Sequence, residues 1–208
     1  MLIGIVNNKR ESAEPGIKAT CPLCGKELIP KCGSIKIWHF AHKIDNQCDN
    51  WYEPESDWHF YWKNEFPVEN QEVIIIKDGK KHIADIKINN QIIEFQNSSI
   101  SPEQINEREK FYGNVVWVLN GGTIASGIFL KPKGDYVTFR WKHPPKSWWN
   151  TDKDIYVDLE SEKYIGQYSI CIKGKLLWIR KIYDNIPCGG WGYLITKEEF
   201  IKRMSGSK

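Results

Sequence analysis

Hydrophobic and polar positions change period along this chain, and the changes mark out its elements. From Glu55 to Phe66 there is no Gly or Pro, and Trp58, Trp62 and Phe66 recur at helical spacing; Pro54 and Pro67 flank the segment. This predicts a helix with Pro at its N-terminal edge and a stop after Phe66. Glu72–Ile76, Lys81–Ile88 and Gln91–Phe95 read as three strands, separated by Asp78-Gly79 and Asn89-Asn90. Both dipeptides suit tight hairpin turns. A second helix opens at Ser101 as N-cap with Pro102 at its first position and Glu103 in its first turn, runs to about Tyr112 and ends at Gly113. These are the residues that helix termini select. Val115–Leu119 is a continuous apolar run, the pattern of a strand covered on both faces. The predicted order is helix, three strands, helix, strand.

Beyond Gly121-Gly122, Tyr136–Trp141, Ile155–Leu159 and Tyr168–Ile182 read as strands, the last broken by a Lys173-Gly174 turn. Lys197–Met204 reads as a short helix. Periodicity leaves open whether residues 123–208 form a second small α+β unit or add strands to the central sheet. The expected division is a Cys/His-rich module at 1–50, an α/β core at 51–122 and a C-terminal α+β extension at 123–208.

Of the 208 residues, 41% are hydrophobic and 26% charged, a balance that excludes a disordered chain. No apolar stretch approaches the ~20 residues of a membrane helix. The apolar run after Met1 is too short for a secretory signal and has no basic segment before it, so the expected location is cytoplasmic, with no membrane partner. A formal net charge of +3 neither announces nor excludes a nucleic-acid partner. Ten Trp and nine Tyr are many for this length. Most are expected in the core, and a minority can stack on bases.

Four of the six cysteines, Cys21, Cys24, Cys32 and Cys48, crowd into the first quarter. With no export signal, metal ligation is favoured over disulfides. Cys21-Pro-Leu-Cys24-Gly25 is a zinc-knuckle pattern in which Gly25 relaxes the turn. Cys21, Cys24, His42 and Cys48 are the expected Zn²⁺ ligands, with His39 as the alternate, because His39 and His42 would face opposite ways on a strand. Cys32 is a secondary candidate. A module of ~50 residues needs such a staple, so the zinc is expected to be structural. Cys171 and Cys188 are expected to be packing cysteines.

Asp85 and Glu94 each interrupt an apolar strand, where an unpaired buried charge is costly. A divalent cation with oxygen ligands is one reason for them to be there. The expected site is Mg²⁺ (or Mn²⁺) on Asp85 and Glu94, with the Phe95 carbonyl as a further ligand. Gln96 shares the strand face of Glu94, where a general base or charge stabiliser would meet a scissile phosphate. Glu55, His59 and Lys63 recur every fourth residue; Glu55 would complete the metal cage, and His59 and Lys63 would contact phosphate. Arg108 and Tyr112 share a face of the second helix. A solvated helix face and edge-strand charges turned to water are the bland alternatives.

Cys-x-x-Cys-Gly, His-Phe-Ala-His, Glu-Ser-x-x-His, Ala-Asp, Glu-Phe-Gln-x-Ser, Arg-x-x-x-Tyr and Val-Val-Trp-Val follow one another over residues 18–120. In that order they resemble the CoiA-like competence protein family. The resemblance implies a PD-(D/E)XK nuclease-like core behind a zinc-ribbon-like module. It also implies a Mg-dependent deoxyribonuclease acting on incoming, foreign or recombining DNA, with single-stranded or branched DNA as partner and a homodimer as one arrangement. Asp85 and Glu94 match its metal-binding acids, and Gln96 falls where the superfamily usually has Lys. Glu55 and His59 match the first-helix motif; Arg108 and Tyr112 match the second. The competing expectation is a non-catalytic, zinc-containing protein that binds single-stranded or branched DNA. An RNA-processing nuclease also fits, since nothing in the sequence reads a 2′-hydroxyl.

Overall fold

A computed structural model describes residues 1–43, 48–159, 174–183 and 188–206. The chain divides into two units, Met1–Ile92 and Ile93–Lys208. The expected borders near residues 50 and 122 lie inside the first and second unit respectively.

In the first unit, β1 (Ile3–Val6), β2 (Lys9–Ser12), β3 (Ala19–Thr20), β4 (Glu27–Lys31) and β5 (His39–His42) form an antiparallel sheet in the order β2-β1-β3-β4-β5. Its core gathers Ala13, Ala19, Cys21, Leu28 and Phe40. Gly4 has no side chain because a Cβ there would lie 2.9 Å from both Ala19 Cβ and Phe40 Cε2. Helix α1 (Asp57–Lys63) follows, shorter than the expected 55–66. Ser56 caps it by accepting from the His59 N–H. Its far end tightens into i→i−3 bonds from Glu65 N–H to Trp62 O and Phe66 N–H to Lys63 O. Strands β6 (Gln71–Lys77) and β7 (Lys80–Ile88) pair antiparallel around Asp78-Gly79, both at positive φ (51° and 74°), as a type I′ hairpin requires. Asn89, at φ 52°, turns the chain toward β8 (Gln91–Gln96), in which the unit boundary falls.

The Cys/His sheet is tied to the rest of its unit. Glu72 accepts from Leu2 N–H (2.8 Å) and Ile3 N–H (2.9 Å), and Arg10 donates to Gln71 O.

The second unit continues with α2 (Pro102–Tyr112), capped by Ser101 in a reciprocal capping box with Gln104. Strand β9 (Val115–Asn120) follows, buried throughout. Next come α3 (Gly121–Ile124), β10 (Ile128–Lys133), β11 (Tyr136–Trp141), β12 (Asp154–Asp158), β13 (Lys175–Tyr183), β14 (Gly189–Thr196) and α4 (Lys197–Ser205). The strands form a mixed sheet in the order β10-β11-β14-β13-β12-β9-β8, with β12 parallel to β9 and the outer pairs antiparallel. The C-terminal strands therefore extend the sheet that contains β9, which periodicity could not decide. The expected strand residues Tyr168–Lys173, and Cys171, lie outside the described residues; Cys188 is buried and not in a disulfide, as a packing cysteine should be. Among the described residues, no helix is long and apolar enough to cross a membrane. The element order α1, β6, β7, β8, α2, β9 is the one read from the sequence.

Candidate functional site

Two side-chain constellations stand out in the first unit. The earlier one is built on the turn after β3 and on β5. Cys21 N–H donates to Lys26 O (2.7 Å) and Gly25 N–H to Cys21 O (2.8 Å), closing the knuckle with Gly25 at φ 72°. A residue with a Cβ would be strained there. Cys21, Cys24, His42 and Cys48 bring their ligand atoms within 4.8 Å of one another. Cys21 Sγ to Cys48 Sγ is 3.6 Å and Cys24 Sγ to His42 Nε2 is 3.3 Å. A tetrahedral zinc with Zn–S near 2.3 Å would set such edges at about 3.8 and 3.6 Å. The donors thus fit a metal ion such as zinc, and they are the four expected from the sequence. His39 and His42 both lie on β5, three residues apart and so on opposite faces; His39 Nδ1 pairs instead with Ile37 O (2.8 Å). Cys32, just after β4, is not in the group.

Without an ion, the electrostatics of the group pull in two directions. Burial, then the adjacent Cys21, pushes the Cys48 thiol well above its ordinary pKa, and burial also raises Cys21. Burial opposes ionisation of Cys24 too, but the Lys26 N–H and the neighbouring thiols outweigh it and hold its pKa below the usual value. Burial, then Lys26, lowers His42, keeping the imidazole neutral as a ligand must be.

Next to Cys48, the Asp49 carboxylate fastens this loop to β7. It accepts from Ile83 N–H (2.7 Å) and Trp51 N–H (2.9 Å), and its Oδ1 lies 2.9 Å from His82 Nδ1. The Trp51 and His82 rings stack with centroids 3.3 Å apart.

The later constellation surrounds Lys63. Its Nζ lies 2.8 Å from Glu55 Oε1, 2.9 Å from Asp85 Oδ1 and 3.1 Å from Glu72 Oε1. Glu55, on the segment entering α1, and Lys63, at its last turn, meet as the helical spacing implied. The lysine side chain is 3% exposed and Asp85 20%, so the stripe is not a solvated face. Burial alone would drag the ammonium down, but Asp85, Glu55 and Glu72 together hold its pKa well above the ordinary value. Burial works against ionised Glu72 as well; Lys63, then the Met1 ammonium and the Leu2 and Ile3 N–H groups overcome it and bring its pKa to about 2. Glu55 goes the other way, raised by burial against the pull of Lys63. Its Oε2 is buried with no hydrogen-bond partner. Glu72 was read only as a strand residue. Its one local signal is the one Asp85 carries, an acid against an apolar run.

Glu72 also sits at φ 46°, a left-handed conformation that costs energy in a non-glycine residue and that its three partners offset. His59 is buried, with Nδ1 2.9 Å from Ser56 Oγ and Nε2 3.8 Å from Glu53.

In the second unit, Glu94 is buried and faces Arg108 Nη1 of α2 at 3.3 Å. Gln96 is buried too, its Nε2 donating to Ser98 O (3.1 Å) and Ser98 Oγ (3.3 Å). Tyr112 is half-buried, its ring edge-on to Phe111. Asp85 and Glu94 thus each have a protein cation beside them, so a metal is not needed merely to explain a charge in an apolar strand.

Residues 8–50 match the family model described as Competence protein CoiA, N-terminal domain. The match is thus confined to the Cys/His module and its flanks. The Competence protein CoiA of Bacillus subtilis (strain 168) is 32% identical over 98 residues, which cover 42% of this chain and 26% of that protein. The chain therefore spans about a quarter of that CoiA protein's length. No solved structure matches it. The metal-type group of this chain lies within the matched segment.

Proposed function

We propose that this CoiA-like chain is a metal-dependent DNA nuclease with a PD-(D/E)XK-type core, acting on single-stranded or branched DNA during competence or related DNA processing. The observation that carries the reading is the surplus of acid around Lys63. Three carboxylates gather on the Lys63 ammonium, with the Met1 ammonium 3.7 Å from Glu55 as a second cation, so acid still outnumbers cation and offers the oxygen ligands that Mg²⁺ or Mn²⁺ prefers. The orphaned Glu55 Oε2 is a free oxygen in that set, and Asp85 is its most exposed member. Glu55, Glu72 and Asp85 would hold the ion. Bound there, it supplies polarisation of the phosphate and a water of lowered pKa.

The chain's own contribution is positioning and charge. Lys63 keeps Glu72 ionised and holds the Asp85 carboxylate at 2.9 Å. Leu2 and Ile3 N–H groups fix Glu72. Glu94 and Gln96 match the family motif, and Arg108 stands 3.3 Å from Glu94. Gln96 carries no charge where the superfamily usually has Lys, so a protein cation must stabilise the developing phosphorane charge from elsewhere. The Cys/His site holds a structural zinc.

A second reading, a non-catalytic DNA-binding protein, is favoured by the pairing of Asp85 with Lys63 and Glu94 with Arg108, which balances both acids without a metal. Linear, single-stranded and branched DNA incubated with the protein, with and without Mg²⁺ or Mn²⁺, separates the two. Cleavage that needs added metal and disappears in Glu94→Gln supports the nuclease. Binding with no breakdown under any metal supports the second reading.

A further inference from the structure

The outward face of β10, β11, β14 and β13 carries three cross-strand rows that the nuclease reading does not use. The first row is Phe129, Arg140, Gly189 and Tyr183. The second is Lys131, Thr138, Trp191 and Lys181. The third begins at Lys133 opposite Tyr136 and, further across the sheet, joins Tyr193, Trp178 and Tyr156. Successive rows are ~7 Å apart along a strand. The opposite face packs inward through Leu130, Val137, Phe139 and Trp141.

The rings form a continuous ridge. Tyr156 stacks on Trp178 (5.6 Å, 11° between planes), Trp178 meets Tyr193 (5.6 Å), Tyr193 meets Trp191 (5.7 Å) and Trp191 meets Tyr136 (5.9 Å). One end is covered: Phe200 of α4 packs on Tyr156 at 4.8 Å, and Arg203 lies 4.3 Å over Trp178. The other end is open. Phe129 is 54% exposed, Tyr183 47% and Tyr136 38%, although large aromatics on a sheet normally find cover. Lys131, Lys133, Arg140 and Lys181 are exposed between them. None of the positions in the three rows is acidic. Asp154 lies off them, engaged by Arg180 and the Trp178 indole N–H.

From this the geometry points to a docking face for single-stranded DNA, with bases stacking on the Trp191–Tyr136 end of the ridge and phosphates meeting the flanking lysines and Arg140. Charge selects the occupant: four cations stand among the open rings against one exposed acid, Asp135 in the β10–β11 turn, which suits a polyanion that exposes flat π-faces. Duplex DNA hides its base faces, so it can use only the cations. A single strand uses both. The choice of DNA over RNA rests on the nuclease reading above.

The test is fluorescence anisotropy of a labelled oligothymidylate with the intact chain and no added divalent metal, so that binding is read apart from cleavage. Trp191→Ala and Tyr136→Ala should each weaken binding about tenfold. Lys131→Glu with Lys133→Glu should weaken it and flatten its salt dependence. Lys131, Lys133 and Tyr136 are exposed and Trp191 is half-buried, and unchanged thermal unfolding confirms that the variants fold. Equal affinity of variants and wild type, or a duplex bound as tightly as the single strand, overturns the proposal. An oligouridylate bound as tightly as the DNA overturns the DNA assignment. Normal binding by the variants beside metal-dependent cleavage sinks this face and leaves the nuclease standing. Ring-dependent binding without any cleavage sinks the nuclease and leaves the face.

Discussion

Lys63 Nζ and Asp85 Oδ1 are 2.9 Å apart, and this pair organises the charged centre of the first unit. The ammonium on the last turn of α1 draws an acid from β7, another from β6 and a third from the segment before the helix. The ion at the centre is what makes the three acids tolerable. Lys63→Met should therefore cost about 3–5 kcal/mol, the usual penalty for removing one partner from a buried ionic cluster. Urea unfolding measures it. Adding Glu55→Gln should recover part of the loss, because it removes one of the carboxylates left facing each other.

Acid should loosen this centre through Glu72. Its folded pKa is held at about 2, below its ordinary value of 4.5, so the stability it contributes is present above pH 4.5 and is lost as pH falls toward 2. Glu55, with its pKa raised, has the opposite sign: its contribution is complete at low pH and declines as pH rises through its folded value. In a circular-dichroism acid titration, Glu72→Gln should be less stable than the wild type at neutral pH and lose less between pH 4.5 and 2. Parallel curves for the two proteins would contradict the assignment.

One zinc per chain is expected, measured by atomic emission on protein purified without chelator. Cys21→Ser and His42→Ala should lose it, and His39→Ala should keep it, because β5 turns His39 away from the thiols. Retention in His42→Ala with loss in His39→Ala would reverse the ligand choice. Chelation should also destabilise the unit, since binding energy at a structural zinc is folding energy.

Asp49 holds the loop that carries Cys48 and so positions a ligand without touching the metal. Asp49→Asn puts an amide N–H₂ where an acceptor is needed for either Trp51 N–H or Ile83 N–H, according to which carboxylate oxygen it replaces. The expected cost is about 1–3 kcal/mol in unfolding and roughly tenfold or more in zinc affinity by chelator competition. Full affinity in a destabilised variant would show that the clasp serves folding alone.

Local chemistry made much of this legible in advance. Ser101, Pro102 and Gly113 fix α2 to the residue, since caps and breakers act through their immediate neighbours. Asp78-Gly79 gives the β6–β7 turn for the same reason. The zinc-type ligands were readable because Cys-x-x-Cys-Gly is a local pattern and strand parity separates His39 from His42. Glu72 was not, because its role depends on the N–H groups of residues about seventy positions earlier and on a left-handed backbone that no sequence pattern advertises. Asp49 and His82 were missed likewise; their contact links positions 33 apart. The aromatic rows were hidden because alternation tells which face a strand residue takes but not which strand lies beside it. For Asp85 and Glu94 the sequence showed an acid in an apolar strand but not the cation beside each, Lys63 and Arg108.

The central claim is that the acids around Lys63 serve metal-dependent cleavage of DNA. Single-turnover cleavage of a labelled single strand against Mg²⁺ concentration tests it most directly, comparing wild type with Asp85→Asn. That substitution keeps the size of the most exposed acid and takes away its charge. The account predicts metal-dependent cleavage by the wild type and a loss of at least about a hundredfold in the variant, with zinc content and fold intact. Cleavage at the wild-type rate in Asp85→Asn, or none by the wild type at any Mg²⁺ or Mn²⁺ concentration, would contradict it.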